Sequence, residues 1–447
     1  MSATTVTIQR EQARVSWSSV TLLVENIIRI GATAAISFWL ARTLGPAQFG
    51  VLNFAAALLA IFGVVAAMGL EVPAVLRLTP ADAPIPSATL GSLLALRLAA
   101  SIVCAVIAGV LAITLRAGQP EAQAVSLIVV LALVAQVPTV FDYWFKSRVQ
   151  AGPPATARVV TTLLSALSKF WVVHEGFGLV ALAWTVVFES VVGSALLWWA
   201  WRRHSRASLS GVLRFDARVT RELLQRSLPF LATNIAVMLY MKADVVLLGI
   251  LSTNEQTGLY TLVQKISEVV YVVPVVLIDS VYPILARRLQ HSAADPSASG
   301  QLMFDLAVGS SIVCALVAAC AAGPVVHAVF GERYAASAPL IAIHAWTCVA
   351  LALDVARHRW LATRGLQRYS FQLAAMGAVA GLTLNFVLIP RFGALGATLS
   401  AVVAFLATSL VGTLCFPSLR DLAKMQWRAL WPYTRLLRHW RDRTVPR

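Results

Sequence analysis

The sequence predicts an all-α polytopic membrane protein: twelve transmembrane helices in two six-helix bundles, related by a pseudo-twofold along the membrane normal. Three observations predict it. Of the 447 residues, 59% are hydrophobic and only 13% charged, about half the charge of a soluble domain. Apolar stretches of about 20 residues, each able to cross a ~30 Å hydrocarbon core, recur twelve times. Lys and Arg crowd alternate connections between those stretches, and several residue pairs recur at a near-constant offset.

The spans fall at 17–40, 48–70, 90–114, 124–145, 158–175, 178–200, 227–251, 259–283, 302–322, 337–361, 371–389 and 396–416. The N-terminal tail, 1–16, holds Arg10 and Arg14. The second connection holds Arg77, and the fourth Lys146, Arg148 and Arg158. The sixth, 201–226, is the longest and holds seven Arg from Arg202 to Arg226. The eighth holds Arg287 and Arg288, the tenth Arg364 and Arg368, and the tail 417–447 eight more cations. The intervening connections carry only Arg42, Arg116, Arg333 and Arg391. Positive charge stays inside, so both termini are expected in the cytoplasm. The polar first 16 residues and the long first span do not fit a cleavable signal.

The basic linker 201–226 divides a bundle at 17–200 from one at 227–416. Four pairs support a duplication. Asn26 and Asn234 are 208 apart, as are Gly50 and Gly258; Asp142 and Asp354 are 212 apart; Phe177-Gly178 and Phe392-Gly393 are 215 apart. Each half has an even number of spans, so the repeats insert the same way round.

Ionisable groups inside a span are expensive and usually face a bundle interior or a wet cavity. Arg29, Arg97, Lys169, Lys242 and Lys265 are such groups, on spans 1, 3, 5, 7 and 8. Together they suggest a cationic interior that attracts phosphate or pyrophosphate, Arg offering a fork and Lys a point charge. Glu25, Asp244, Glu268 and Asp279 are candidates for coupling or gating. Glu25 and Arg29 can pair at i, i+4, and Lys265 with Glu268 or Asp354 with Arg357 at i, i+3. Lys242 and Asp244 point to different faces and are expected to reach different partners. Arg97 and Lys169 need interhelical partners, for which Glu189 and Asp305 are candidates. Asp142, Arg357 and Arg359 lie near span borders, where long side chains snorkel.

No catalytic constellation is present: no HExxH, no GxxxxGK[ST] and no extramembrane segment of domain size. The protein is therefore expected not to be an enzyme, and to need neither metal nor cofactor beyond a coupling proton or sodium ion. The net charge of +16 is assigned to loops facing anionic lipid, not to nucleic acid. Cys104, Cys314, Cys320, Cys348 and Cys415 read as apolar packers. His174, His327 and His344 are candidate pH sensors, with satisfied structural histidines as the alternative. Pro138, Pro229, Pro274 and Pro283 are fixed kinks or hinges. Trp198, Trp199 and Trp201 read as interfacial anchors. The C-terminal tail, with Trp427, Trp431, Tyr433 and Trp440, reads as a segment on the inner leaflet.

Four runs carry a family pattern: LARTLGPAQFGVLNFA at 40–55 with GLEVPAVLR at 69–77, FDYWFKSRVQAGPPATAR at 141–158, the stretch 243–285, and RFGALGATLS at 391–400. They resemble the bacterial polysaccharide and O-antigen flippases of the multidrug/oligosaccharidyl-lipid/polysaccharide export superfamily. The resemblance implies two bundles forming a V around a central cavity lined by spans 1, 2, 7 and 8. It implies an undecaprenyl-pyrophosphate-linked oligosaccharide as substrate, carried from the cytoplasmic to the periplasmic leaflet of the inner membrane by alternating access. Polymerase and export components of a polysaccharide pathway become candidate partners. The family's cavity cations carry over onto Arg29 and Lys265, although Lys stands where Arg is expected in span 8. The alternatives are an exporter of peptidoglycan precursor or drugs, a membrane-embedded polymerase or glycosyltransferase, and a non-transporting scaffold of a glycan-assembly complex.

Overall fold

The computed structural model describes residues 3–79, 87–205, 214–291, 296–366 and 368–431; side chains are described from Glu25 onward, apart from 87, 283–291 and 296–299. Arg206, Tyr433, Trp440 and the tail's last five arginines lie outside the described residues. So do the side chains of Arg10, Arg14, Arg287 and Arg288.

Among the described residues every regular element is a helix. The chain begins with α1 (Ala3–Ala67), interrupted at Gly45, where φ is 73°. Glycine takes this conformation without a Cβ penalty, and Pro46 can open the segment that follows because the first turn needs no N–H. From Glu25 this helix runs 43 residues, about 65 Å at 1.5 Å per residue, or twice a hydrocarbon core. It therefore carries the first two spans. Eleven described helices are long and apolar enough to cross a membrane; dividing the first at Gly45 yields the twelve spans predicted.

The connection after span 2 forms α2 (Glu71–Leu78), and α3 (Ser87–Leu115) follows. Span 4 is α4 (Pro120–Ala135), a 3-10 turn at Val137–Val140 around Pro138, and α5 (Phe141–Ser147). Then come α6 (Gly152–His174), α7 (Gly178–Ser205), α8 (Ala217–Leu251), α9 (Asn254–His291) and α10 (Pro296–Val325). Span 10 is α11 (Ser337–His344) with α12 (Thr347–Thr363), span 11 is α13 (Arg368–Phe392), and span 12 begins with α14 (Ala394–Leu406). Both α7 and α8 extend into the stretch expected as linker.

The chain divides into two compact units. One holds the residues up to Leu40 with Val51–Met238; the other holds Ala41–Gly50 and the chain from Leu239 on. The first part of α8 belongs to the first unit because Val219 and Leu223 enter its core beside Leu70, Phe141 and Trp201. A Cβ on Gly69 would collide with the backbone at Leu231, so this packing is backbone against backbone.

In the second unit Gly50 and Gly258, the pair matched by the repeat, lie against each other. A Cβ on Gly258 would meet the Pro46 carbonyl, and one on Gly50 the Asn254 carbonyl. Helix breaks also recur at the same offset, at Gly45-Pro46 and between α8 and α9. Gly178 and Gly393, a second matched pair, both have positive φ, 81° and 54°, each where the last span of its half begins.

A final helix, α15 (Arg420–Ala429), lies in the stretch expected on the inner leaflet: Leu422, Met425 and Ala429 pack against Met303, Phe304 and Trp360 in the second unit's core, while Trp427 is exposed. Two cysteines depart from expectation. Cys104 and Cys348 are buried, but Cys320 and Cys415 are exposed.

Candidate functional site

The first unit holds a lattice of alternating charges. Glu25 Oε1 accepts from Arg29 Nε at 3.1 Å and from Arg158 Nε at 3.2 Å. Arg158 also reaches Asp142 at 3.2 Å, Asp142 pairs with Lys146 at 3.2 Å, and Lys146 with Glu71 at 2.7 Å. Three cations meet three carboxylates. Asp142 lies five residues before the end of α5 and Arg158 six after the start of α6, so the lattice sits about 8–9 Å inside those helix ends. The turn between them carries Val149 at φ 54°, a strained position for a β-branched residue.

Arg158 was expected in a loop. Pro153 and Pro154 hid the start of α6, which the first helical turn tolerates. Asp142 was expected to snorkel; it is instead held between Arg158 and Lys146. A polar cleft of about 290 Å³ opens beside the lattice, lined by Arg29, Asp142, Arg158, Glu189, Thr139 and Ser190 among others. The Arg29 guanidinium is 43% exposed there and also donates to Asn26 Oδ1 at 2.8 Å. Lys169 pairs with Glu189 at 2.8 Å, the interhelical partner anticipated for it.

Arg97 stands apart from that cleft. It is buried, donates through one terminal nitrogen to Tyr143 Oη at 3.1 Å, and its Nε has no partner. Among the described residues no carboxylate pairs with it. Asp305, the other candidate for Arg97, accepts from Gln301 instead.

The second unit holds a different cluster. Glu268 Oε1 lies 2.9 Å from Lys242 Nζ, and Glu268 Oε2 lies 3.7 Å from Lys265 Nζ. Two lysines, one on α8 and one on α9, share one carboxylate. Lys242 also donates to Gln264 at 3.3 Å. Lys242 is nine residues before the end of α8 and Lys265 eleven after the start of α9. Both lie about 14–16 Å from the helix ends, half the thickness of a hydrocarbon core. The lysines remain about a quarter exposed.

Asp244 turns away from this cluster, as its spacing from Lys242 predicts. It is buried, accepts from Tyr260 Oη and the Val245 N–H, and has no ion pair within 4 Å among the described residues. The Tyr260 ring meets His344 edge to face at 5.9 Å, and His344 Nδ1 is 2.8 Å from Ser267 Oγ. Tyr260 and His344 were not tied to Asp244 by sequence, because their only link is across helices. Among the proposed pH sensors His344 is thus a packed, bonded residue, whereas His327 is exposed beside Glu332.

Asp279, expected at the same site, is elsewhere. It pairs with Arg359 at 2.7 Å, both half-exposed. Arg357 does not snorkel: it is 2% exposed, pairs with Asp354 and donates to the Thr408 carbonyl at 3.3 Å. Arg116, expected as an exposed connection charge, is also buried, 3.8 Å over the Phe54 ring. Burial pushes its pKa down to about 10, which leaves it charged at neutral pH.

A family model described as polysaccharide biosynthesis protein matches residues 10–289. The chain belongs to this family. No curated protein matches the sequence significantly. Among solved structures, the fold of this chain is similar to the lipid II flippase MurJ in an inward closed conformation. That match has TM-score 0.72 and 11% identity, over 94% of this chain and 92% of that one. An inward-facing multidrug resistance transporter of the MATE family matches with TM-score 0.67 and 14% identity, over 93% of this chain and 99% of that one. A superfamily transporter from Pyrococcus furiosus, described by the reverse polarity of its binding pocket, matches with TM-score 0.56 and 13% identity, over 91% and 96%. The chain is therefore a multi-pass membrane protein with the all-helical fold of these transporters.

Proposed function

We propose that this protein is a flippase for undecaprenyl-pyrophosphate-linked oligosaccharide, moving it from the cytoplasmic to the periplasmic leaflet of the bacterial inner membrane by alternating access. Both termini face the cytoplasm in this reading, and no covalent bond is made or broken. Membership of the polysaccharide biosynthesis family and a fold shared with a lipid II flippase support it. The single observation that carries it is the meeting of Lys242 and Lys265 at Glu268.

A glycan bearing pyrophosphate cannot enter hydrocarbon alone, because its polar groups would be unsatisfied and its charge unpaired. Lys242 and Lys265 supply charge at the depth where that barrier is highest. The two ammonium groups that meet at this one carboxylate attract the pyrophosphate. An ammonium is a point charge that does not fix the orientation of its partner, which suits a group that must leave as readily as it arrives. In the first unit, Arg29 presents a half-exposed fork to the polar cleft and offers a second phosphate contact nearer the leaflet border.

Coupling falls to Asp244. A proton or sodium ion bound to this carboxylate changes the charge beside Lys242 and with it the hold on the anion. An ion gradient thereby acts on substrate affinity, as linkage between two sites requires. Glu25, with Arg158 and Asp142, acts as a fastening of the first unit and not as a carrier of the coupling ion.

The test is transfer by purified protein in liposomes of a fluorescent undecaprenyl-pyrophosphate oligosaccharide, read with a membrane-impermeant quencher. Protein-dependent transfer that is lost in Lys242→Gln/Lys265→Gln is the expected result. Absence of transfer by correctly inserted wild-type protein under an imposed ion gradient would refute the reading. Transfer of lipid II alone would reassign the substrate.

A further inference from the structure

The outer faces of α6 and α7 form a groove of about 340 Å³, with no residue of the charge lattice in its lining. It is lined by Pro153, Thr156 and Val160 of α6 and by Trp199, Arg203 and His204 of α7, among others. We infer that this groove seats one anionic phospholipid, with its phosphate at Arg203 and an acyl chain along α6.

The head end is cationic without compensation. No carboxylate lines the groove. Arg203 stacks 5.7 Å over the Trp199 ring and Arg202 5.6 Å over Trp198, and neither has an ion pair among the described residues. His204 is tethered by Nδ1 to the Ala200 carbonyl at 2.8 Å, so Arg203 is the permanent charge. The start of α6 adds little, because Pro153 and Pro154 have no N–H and the Ala155 N–H is taken by Ala151. The attraction therefore rests on side chains. Trp199 is 56% exposed, and an indole beside a guanidinium at that height is the usual furniture of the lipid interface.

The tail end is apolar for the depth of one leaflet. Val160, Leu163, Leu167 and Trp171 run exposed down α6, and Trp184 and Val191 run along α7. From Val160 to Trp171 is eleven residues, about 16 Å along the helix, against ~15 Å for half a hydrocarbon core. An amphiphile with a negative head and a chain of one-leaflet length matches both ends. A free phosphate would leave the apolar part unused, and an undecaprenyl chain would overrun one leaflet. Basic pockets between membrane helices on the basic side of a protein attract anionic lipid heads, and this groove opens where α7 leaves its span through Arg202 and Arg203.

Native mass spectrometry of the full-length protein, released from bilayers of equimolar phosphatidylglycerol and phosphatidylethanolamine, tests this. Wild type should retain phosphatidylglycerol at least tenfold over phosphatidylethanolamine. Arg203→Gln should lower that retention about tenfold, and Arg203→Lys should keep most of it. Each variant is checked for an unchanged unfolding temperature; if Arg203→Gln is destabilised, Trp199→Ala replaces it and should give the same loss. Undiminished phosphatidylglycerol retention in the folded variant, or equal retention of both lipids by wild type, overturns the inference. So does displacement of phosphatidylglycerol by equimolar undecaprenyl phosphate, which would assign the groove to the carrier lipid.

Discussion

The two units handle intramembrane charge in opposite ways. Near one end of the first unit, Arg29, Arg158 and Lys146 alternate with Glu25, Asp142 and Glu71, and the lattice is neutral. At mid-depth in the second, Lys242 and Lys265 share Glu268, while Asp244 is bonded to Tyr260 and makes no ion pair within 4 Å among the described residues. A neutral lattice leaves a ligand little beyond the exposed end of Arg29 and serves chiefly to hold helices together. Two lysines on one carboxylate, at the costliest depth, are what the proposed anion site rests on. The scaffolds differ accordingly: ion pairs join the helices around Glu25, whereas the start of α9 is joined to the start of span 2 by bare backbone at Gly258 and Gly50.

This contrast can be broken at five places. Gly258→Ala should do the most damage, because the clash is with the Pro46 carbonyl and no side chain can move aside. The cost is at least about 3 kcal/mol, read as lost thermal stability in detergent; a wild-type melting curve would mean the packing is looser than described. Arg158→Ala removes one of the two cations on buried Glu25 and a partner of Asp142. The full cost of an uncompensated buried charge is reduced here because Arg158 is partly exposed and Arg29 remains, leaving about 2 kcal/mol. Lys146→Ala, at an exposed pair, should cost less than about 1 kcal/mol, and equal losses for the two variants would dissolve the lattice.

Asp244→Asn keeps an acceptor for Tyr260 and removes the ionisable group. Transport should continue downhill but lose a several-fold stimulation by an imposed proton or sodium gradient; a retained response would place coupling elsewhere. The one stabilising change is expected at Val149→Gly, which relieves positive-φ strain beside the lattice. A gain of about 1 kcal/mol is anticipated, and a loss would show that the valine side chain contributes more than the strain costs.

The spans were legible because a helix crossing lipid must satisfy every backbone group internally over about 20 apolar residues. The repeat was legible in Gly50 and Gly258, since a close backbone approach leaves only glycine possible. The ion pairs within one helix, Glu25 with Arg29 and Lys265 with Glu268, followed from spacing. Those between helices did not. Arg158 stood in an apparent loop because Pro153 and Pro154 disguised a helix start. Asp142 and Arg357 looked like border charges, and only packing shows them enclosed. Tyr260, which decides the environment of Asp244, carries no periodic signal. The α15 helix was obscured by its arginines and tryptophans, although Leu422 and Met425 carry its packing.

The most direct test compares the two regions in one assay. Transfer of undecaprenyl-pyrophosphate oligosaccharide into liposomes would be measured for Lys242→Gln/Lys265→Gln and for Glu25→Gln/Arg158→Gln, with folding verified for both. Losing two charge-assisted contacts to phosphate should cost about 3 kcal/mol, or roughly a hundredfold in transfer. The lattice pair, neutralised together, should lose less than about tenfold. Wild-type transfer by the lysine variant, or the greater loss in the lattice variant, would contradict the assignment of the anion to the second unit.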